Sequence, residues 1–163
     1  MNIFFRIVFI FILVLMSVFL SMSEISLASA RKMKLQVMIE EGNENAAKVL
    51  EIQQMSGNFF TVVQIGINAI AIMGGILGDN ITTPWVKNFI ITWLPFLSIK
   101  AEMIGSFVSF CIITGLFIEF ADLIPKRLSM VSPEKIAVNI IKPMLFLICV
   151  FKPLIVIFNG IAS

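Results

Sequence analysis

The sequence predicts an all-α membrane protein with three transmembrane helices. A cytoplasmic helical hairpin is expected between the first two, and a C-terminal interfacial belt helix at the end. Three observations carry this. Of 163 residues, 59% are hydrophobic and only 13% charged, and the mean hydropathy is +1.03, more apolar surface than a soluble domain of this size can hide. Three runs reach the roughly 20 residues that a bilayer core demands of a helix. Basic residues gather on two segments and are sparse elsewhere. A net charge of +2 gives no electrostatic case for a nucleic-acid partner. The chain has no histidine and no tyrosine, so the usual general base is missing. No nucleophile–base pair or cofactor motif stands in the sequence, and no enzyme is expected.

The first span, about residues 5–29, rests on the uncharged run Ile7 to Ser23. Ser17, Ser21 and Glu24 follow at intervals of four and three, on one helical stripe, with Ser23 off it. Serine hydroxyls at such positions either bond a carbonyl one turn back or serve as acceptors in a site. Glu24 reads as a snorkelling charge, a partner for Arg31 or Lys126, or part of a binding site. Arg6, the apolar run and Ala28-Ser29-Ala30 also resemble a signal peptide with its cleavage site. Ser21, Ser23, Glu24 and Ser26 interrupt the approach to that site, so the span is expected to stay.

Residues 31–56 hold the densest charge. Leu35, Met38, Ala46, Val49, Leu50 and Ile52 recur at mostly helical spacing, and residues 40 to 45 (Glu-Glu-Gly-Asn-Glu-Asn) mark a turn. This predicts a helical hairpin whose apolar stripe lies against the membrane or the bundle. The second span, about 57–77, comes from the uncharged run Ile52 to Gly78. Gln64, Asn68, Ala71 and Gly75 share one face, where small residues admit a neighbouring helix and amides bind helices or ligand. Gly74-Gly75 and Gly78-Asp79-Asn80 are read as closing that helix, and they lack the lysine of a phosphate cradle.

The third span, about 102–124, runs from Met103 to Ile124 with only Glu119 and Asp122 charged. An ionisable group at membrane depth is costly and usually functional. Gly115, Glu119 and Asp122 share an α-helical face, where two carboxylates repel unless a proton or a cation lies between them. Pro125 is predicted to break or kink the helix, removing the amide that the Ala121 carbonyl would accept. A carboxylate beside a released carbonyl makes a cation site; the competing role for Asp122 is an i,i+4 pair with Lys126. Beyond it, Lys142-Pro143 and Lys152-Pro153 divide the last apolar region, which is read as an interfacial helix over about 134–160 with both lysines at the headgroups. Cys111 and Cys149 read as buried small hydrophobes.

Arg31, Lys32, Lys34 and Lys48 follow the first span, and Lys126, Arg127, Lys135 and Lys142 the third. The positive-inside rule then sets the N-terminus outside and the C-terminus in the cytoplasm.

These residues also carry a resemblance. Phe19 to Ala28 (Phe-Leu-Ser-Met-Ser-Glu-Ile-Ser-Leu-Ala), Val62 to Asn68, and Phe120 to Lys126 followed by Ser132-Pro133-Glu134 resemble, in order and spacing, the cyclin-M/CorC transmembrane domain. The wording is nearest the bacterial branch named for polyamine export. The resemblance implies a bacterial inner-membrane homodimer of three-span bundles with a belt helix. It also implies paired CBS domains downstream, so a chain stopping at Ser163 is read as the membrane domain alone. It further implies a cation exporter whose site takes Asp122, Ala121, Ser21 and Asn68, with Glu119 and Glu24 as further acceptors. Where magnesium-handling relatives carry Gly-Glu, this chain has Ala121-Asp122, and Ala71 replaces a further asparagine. Both changes deplete an octahedral oxygen site and favour polyamines such as putrescine or cadaverine over Mg2+ or Co2+. In the metal alternative Asp122, Ser21 and Asn68 are the ligands; no cofactor is expected beyond Mg2+ as cargo. A third alternative is an anchor or sensor for the CBS domains.

Overall fold

A computed structural model describes residues 3–54, 56–93, 96 and 100–161, and among these no strand occurs. The helices are α1 (Ile3–Ser29), α2 (Lys32–Glu40), α3 (Glu44–Gln54), α4 (Ser56–Trp93) and α5 (Ala101–Leu116). Helix α5 passes into a π-helical segment, Phe117–Leu123, followed by α6 (Ile124–Val131) and α7 (Pro133–Ile161). Three stretches among the described residues are long and apolar enough to cross a bilayer: Phe4–Ser29, Phe59–Trp93 and Ala101–Val131. The predicted all-α, three-span class is the one observed. The chain divides into two compact units, Met1–Val18 with Asn68–Leu123 and Phe19–Ile67 with Ile124–Ser163.

The first unit is built on the antiparallel pair α4 and α5. A Cβ on Gly74 would strike the Phe117 ring, and one on Gly78 would strike Ile113. One turn further on, the hydroxyls of Thr82 and Ser109 meet. Residues 74, 78 and 82 thus oppose 117, 113 and 109, four-residue steps on both helices, as a small-residue seam requires. The glycines therefore do not close the helix, as the sequence suggested. Helix α4 continues to Trp93 with Pro84 inside it, because the glycines are used for close approach. The seam also lies one residue off the expected Gly75 face, where a Cβ would meet Phe110 only at an ordinary 3.8 Å. At 1.5 Å per residue the 35-residue apolar stretch of α4 is about 50 Å long. It outreaches a hydrocarbon core of about 30 Å.

The second unit holds the helical hairpin, and a specific turn shapes it. Gly42 has φ +87°, its N–H donates to the Ile39 carbonyl, and Asn43 N–H donates to that of Met38. That is the glycine-closed helix end in which two orphan carbonyls are satisfied. The Asn43 side-chain oxygen then accepts from the amides of Asn45 (3.1 Å) and Ala46 (3.3 Å), capping α3. Leu35, Ala46 and Val49 are fully buried, and α3 packs on both α2 and α7. The expected stripe is thus turned into protein.

Two expectations need correction. Helix α7, Pro133–Ile161, matches the single helix expected over about 134–160, but Lys142-Pro143 and Lys152-Pro153 do not divide it. A proline inside a helix removes one backbone bond, and the remaining bonds carry it through. Lys142 is exposed, while the side chain of Lys152 lies outside the described residues. Cys111 and Cys149 are exposed rather than buried. An apolar outer surface is what a helix facing lipid presents, so an apolar neighbourhood in sequence does not imply burial.

Candidate cation site

On the C-terminal half of α1 the polar side chains turn inward. Ser17, Ser21, Ser23 and Ser26 are all buried, whereas Phe4, Phe5, Phe11, Leu15 and Met16 of the same helix are exposed. Ser23 donates to the Phe19 carbonyl at 2.7 Å and Ser26 to that of Ser23 at 3.3 Å, bonds within the helix that pay part of their desolvation. Ser21 also has an interaction partner. Glu24, one turn on from Ser21, lies 3.1 Å from the Lys126 ammonium, with 17% and 27% of the two side chains exposed. Of the roles open to Glu24 in the sequence, pairing with Lys126 is observed.

Around Asp122 the helix changes register instead of stopping. The π segment ends at Leu123 and α-helix resumes at Ile124. Pro125 therefore falls in the first turn of the new helix, where a missing N–H costs least. Ala121 is buried and Asp122 half-buried. Each has an interaction partner, so neither stands free, and the expected break gives way to a π turn. Such turns occur often at functional sites. A π turn also takes more residues than an α turn, which rotates Glu119 away from Asp122. Glu119 is exposed, as is Asn68 on α4. Asn68, Glu119, Ala121 and Asp122 belong to the first unit, while Ser21, Glu24, Pro125 and Lys126 belong to the other.

Three polar features were not singled out from sequence. Asp79, taken for a loop residue, accepts from Thr83 at 2.6 Å and from Ser106 at 3.3 Å; the i,i+4 Asp–Thr spacing inside an apolar run was the available signal. Gln53 donates to the carbonyls of Leu27 and Ala30, both at 2.8 Å, closing the C-terminal end of α1. Nothing local in the sequence marks a partner more than twenty residues away. Glu134, quoted only as part of a motif, is 1% exposed and receives Arg31 Nε at 3.1 Å and Lys34 Nζ at 3.2 Å. The Arg31 backbone N–H also points to it at 3.4 Å. It thereby sits at the N-terminal ends of both α7 and α2, where a negative charge is favoured. Burial pushes its carboxyl up, but its own backbone N–H, Arg31 and Lys34 together hold it down at about 2. Among the described residues no group of three or more histidine, cysteine or acidic side chains is placed to hold a metal ion.

Fold and site together define a class: a polytopic α-helical membrane protein with acids and hydroxyls inside its spans. The chain belongs to the family described as cyclin M transmembrane N-terminal domain, whose model matches residues 7–163. It is 49% identical over 154 residues to a polyamine export protein of Salmonella typhimurium (strain 14028s / SGSC 2262), covering 94% of this chain and 34% of that protein. Identity to a polyamine export protein of Escherichia coli (strain K12) is 47% over 151 residues, 93% of this chain and 33% of the relative. A polyamine export protein of Haemophilus influenzae is 39% identical over 168 residues, 100% of this chain and 37% of the relative. The chain thus spans about a third of the length of these curated relatives. With its three apolar helices and bacterial relatives, it is a bacterial membrane protein with a transporter-like architecture.

Proposed function

We propose that this chain is the membrane domain of an inner-membrane exporter of polyamines such as putrescine or cadaverine, acting without covalent chemistry. The observation that carries the proposal is the inward face of α1, where buried Ser21 and mostly buried Glu24 sit in an otherwise apolar span. Intramembrane polar groups of this kind mark cation pathways. The relatives' names supply the cargo. Asp122 and Asn68 are the cargo ligands of one unit, with Glu119 attracting cations to them, and Ser21 and Glu24 are those of the other. The cytoplasmic face is the side of entry, with the N-terminus outside by the distribution of basic residues. The family resemblance favours a working homodimer, which light scattering of the purified chain in detergent checks.

A second cargo, Mg2+ or Co2+, is favoured by one feature, the oxygen donors that Ser21, Asn68 and Asp122 each carry, which suit hard cations. Efflux of radiolabelled putrescine and of Mg2+ from proteoliposomes distinguishes the two. The chain is tested by itself and fused to the C-terminal two thirds of the Salmonella relative. Putrescine efflux is the expected result. Magnesium flux alone transfers the proposal to the metal, and no flux of either makes the bundle an anchor or sensor. In the active form Asp122→Asn lowers efflux at least about tenfold, as loss of a charge-assisted contact of about 1.5–3 kcal/mol implies. Normal efflux by that variant removes Asp122 from the site.

A further inference from the structure

We propose that the Glu24 carboxylate is a seat for a primary alkylammonium ion, and that Lys126 occupies this seat from within the chain until cargo displaces it. This deepens the exporter reading and rests on its amine cargo. The lysine side chain is a flexible four-carbon stem ending in an ammonium, chemically one end of a linear diamine. The fold already holds that group against Glu24, at 3.1 Å, with both partners largely out of water. In the Arg31–Glu134, Lys34–Glu134 and Lys87–Glu102 pairs, by contrast, at least one partner is more than a third exposed. The contact is also incomplete. Glu24 Oε2 is buried yet accepts no well-directed hydrogen bond, so Lys126 supplies charge without the aligned N–H···O bond a buried carboxylate needs. An ammonium free to choose its angle gains that bond; one tethered to α6 does not.

Displacement needs somewhere for Lys126 to go. It lies in the first turn of α6, beyond the π segment, beside exposed Arg127 and Leu128. A lysine near a membrane boundary can extend its head to the headgroups while its stem stays on apolar surface. Charge is conserved throughout, since one ammonium leaves the carboxylate as another arrives. The internal competitor lowers apparent affinity by the fraction of time the seat is open, so that bound cargo is also readily released.

The test is thermal unfolding of the chain in nanodiscs, titrated with putrescine, with n-butylamine as a one-headed probe and with Mg2+. Lys126→Met retains the apolar stem, and should lower the half-saturating putrescine concentration about tenfold or more. It should also make n-butylamine stabilising. Adding Glu24→Gln abolishes both effects, and Glu24→Gln alone weakens the putrescine shift of the unaltered chain about tenfold or more. Lys126→Arg keeps the charge and can align a fork on Glu24; it should raise the half-saturating concentration, and it tests the proposal if Lys126→Met fails to fold. Putrescine binding equally strong in the unaltered chain, Lys126→Met and Lys126→Arg overturns the internal-competitor role while leaving the exporter reading intact. So does tighter binding that persists with Glu24→Gln. A response to Mg2+ with none to putrescine in any variant overturns the amine cargo and this proposal together.

Discussion

Glu134 shows how one side chain can fasten several elements. It lies in the first turn of α7 and accepts from Arg31 and Lys34 at the start of α2. Its folded value of about 2 lies below the ordinary 4.5, so its stabilising contribution is fully present above pH 4.5. That contribution is lost as pH falls through the interval from 4.5 to 2, where the folded carboxylate also takes up its proton. The loss amounts to on the order of 2–3 kcal/mol. Guanidinium or thermal unfolding in detergent between pH 6 and 2.5 should show this loss in the unaltered chain. A Glu134→Gln variant should be weaker by a similar amount at pH 6 and much less sensitive to acid across the same interval. Equal acid sensitivity in both would place the titrating group elsewhere. The motif Ser132-Pro133-Glu134 was visible in the sequence as a helix start. Its partners, a hundred residues earlier, were not, because an ion pair leaves no local trace of the charge it meets.

At the scale of the element, the α4–α5 seam separates glycines that matter from one that does not. A Cβ on Gly78 collides with the branched side chain of Ile113, and a β-branched residue in a helix has little χ1 freedom to yield. Gly78→Val should therefore destabilise the chain by about 1–3 kcal/mol, the usual cost of overpacking. At Gly115 a Cβ meets nothing within 4 Å. Gly115→Ala should leave stability unchanged or raise it by up to about 1 kcal/mol through helix propensity. Thermal unfolding of the two variants side by side checks the contrast, and equal destabilisation would refute the seam. The sequence did signal small residues on this helix, but it pointed to Gly75. Periodicity marks which residues share a face and leaves open which of two adjacent faces meets a neighbour. The π segment is a related case. Pro125 announced a disturbance, while the choice between a broken helix and a widened turn depended on how the chain could satisfy its backbone through that turn.

For the whole molecule, the basic residues predict the side of the membrane on which each segment lies. With Cys111 and Cys149 replaced by alanine, a single cysteine at exposed position 44 (Glu44→Cys) should react with a membrane-impermeant maleimide only from the cytoplasmic side. A cysteine at exposed Trp85 should react only from the other. Labelling of position 44 from outside in intact cells would reverse the orientation and, with it, the direction of entry proposed for the cargo.

The chain's composition alone determined that its solvent is lipid, and the spacing of its charges determined three long helices with a charged hairpin between the first two. Those properties follow from local hydropathy and period, which each stretch of sequence carries in itself. Tertiary structure alone decided that Glu24 meets Lys126, that Gln53 closes α1, that Glu134 joins α2 to α7, and that glycines thought to end α4 let it approach α5. Each of those is a meeting of residues far apart along the chain. Which of several chemically suitable partners a buried group meets is settled by packing, since desolvation forbids leaving it alone and the geometry of the assembled helices selects what lies within reach.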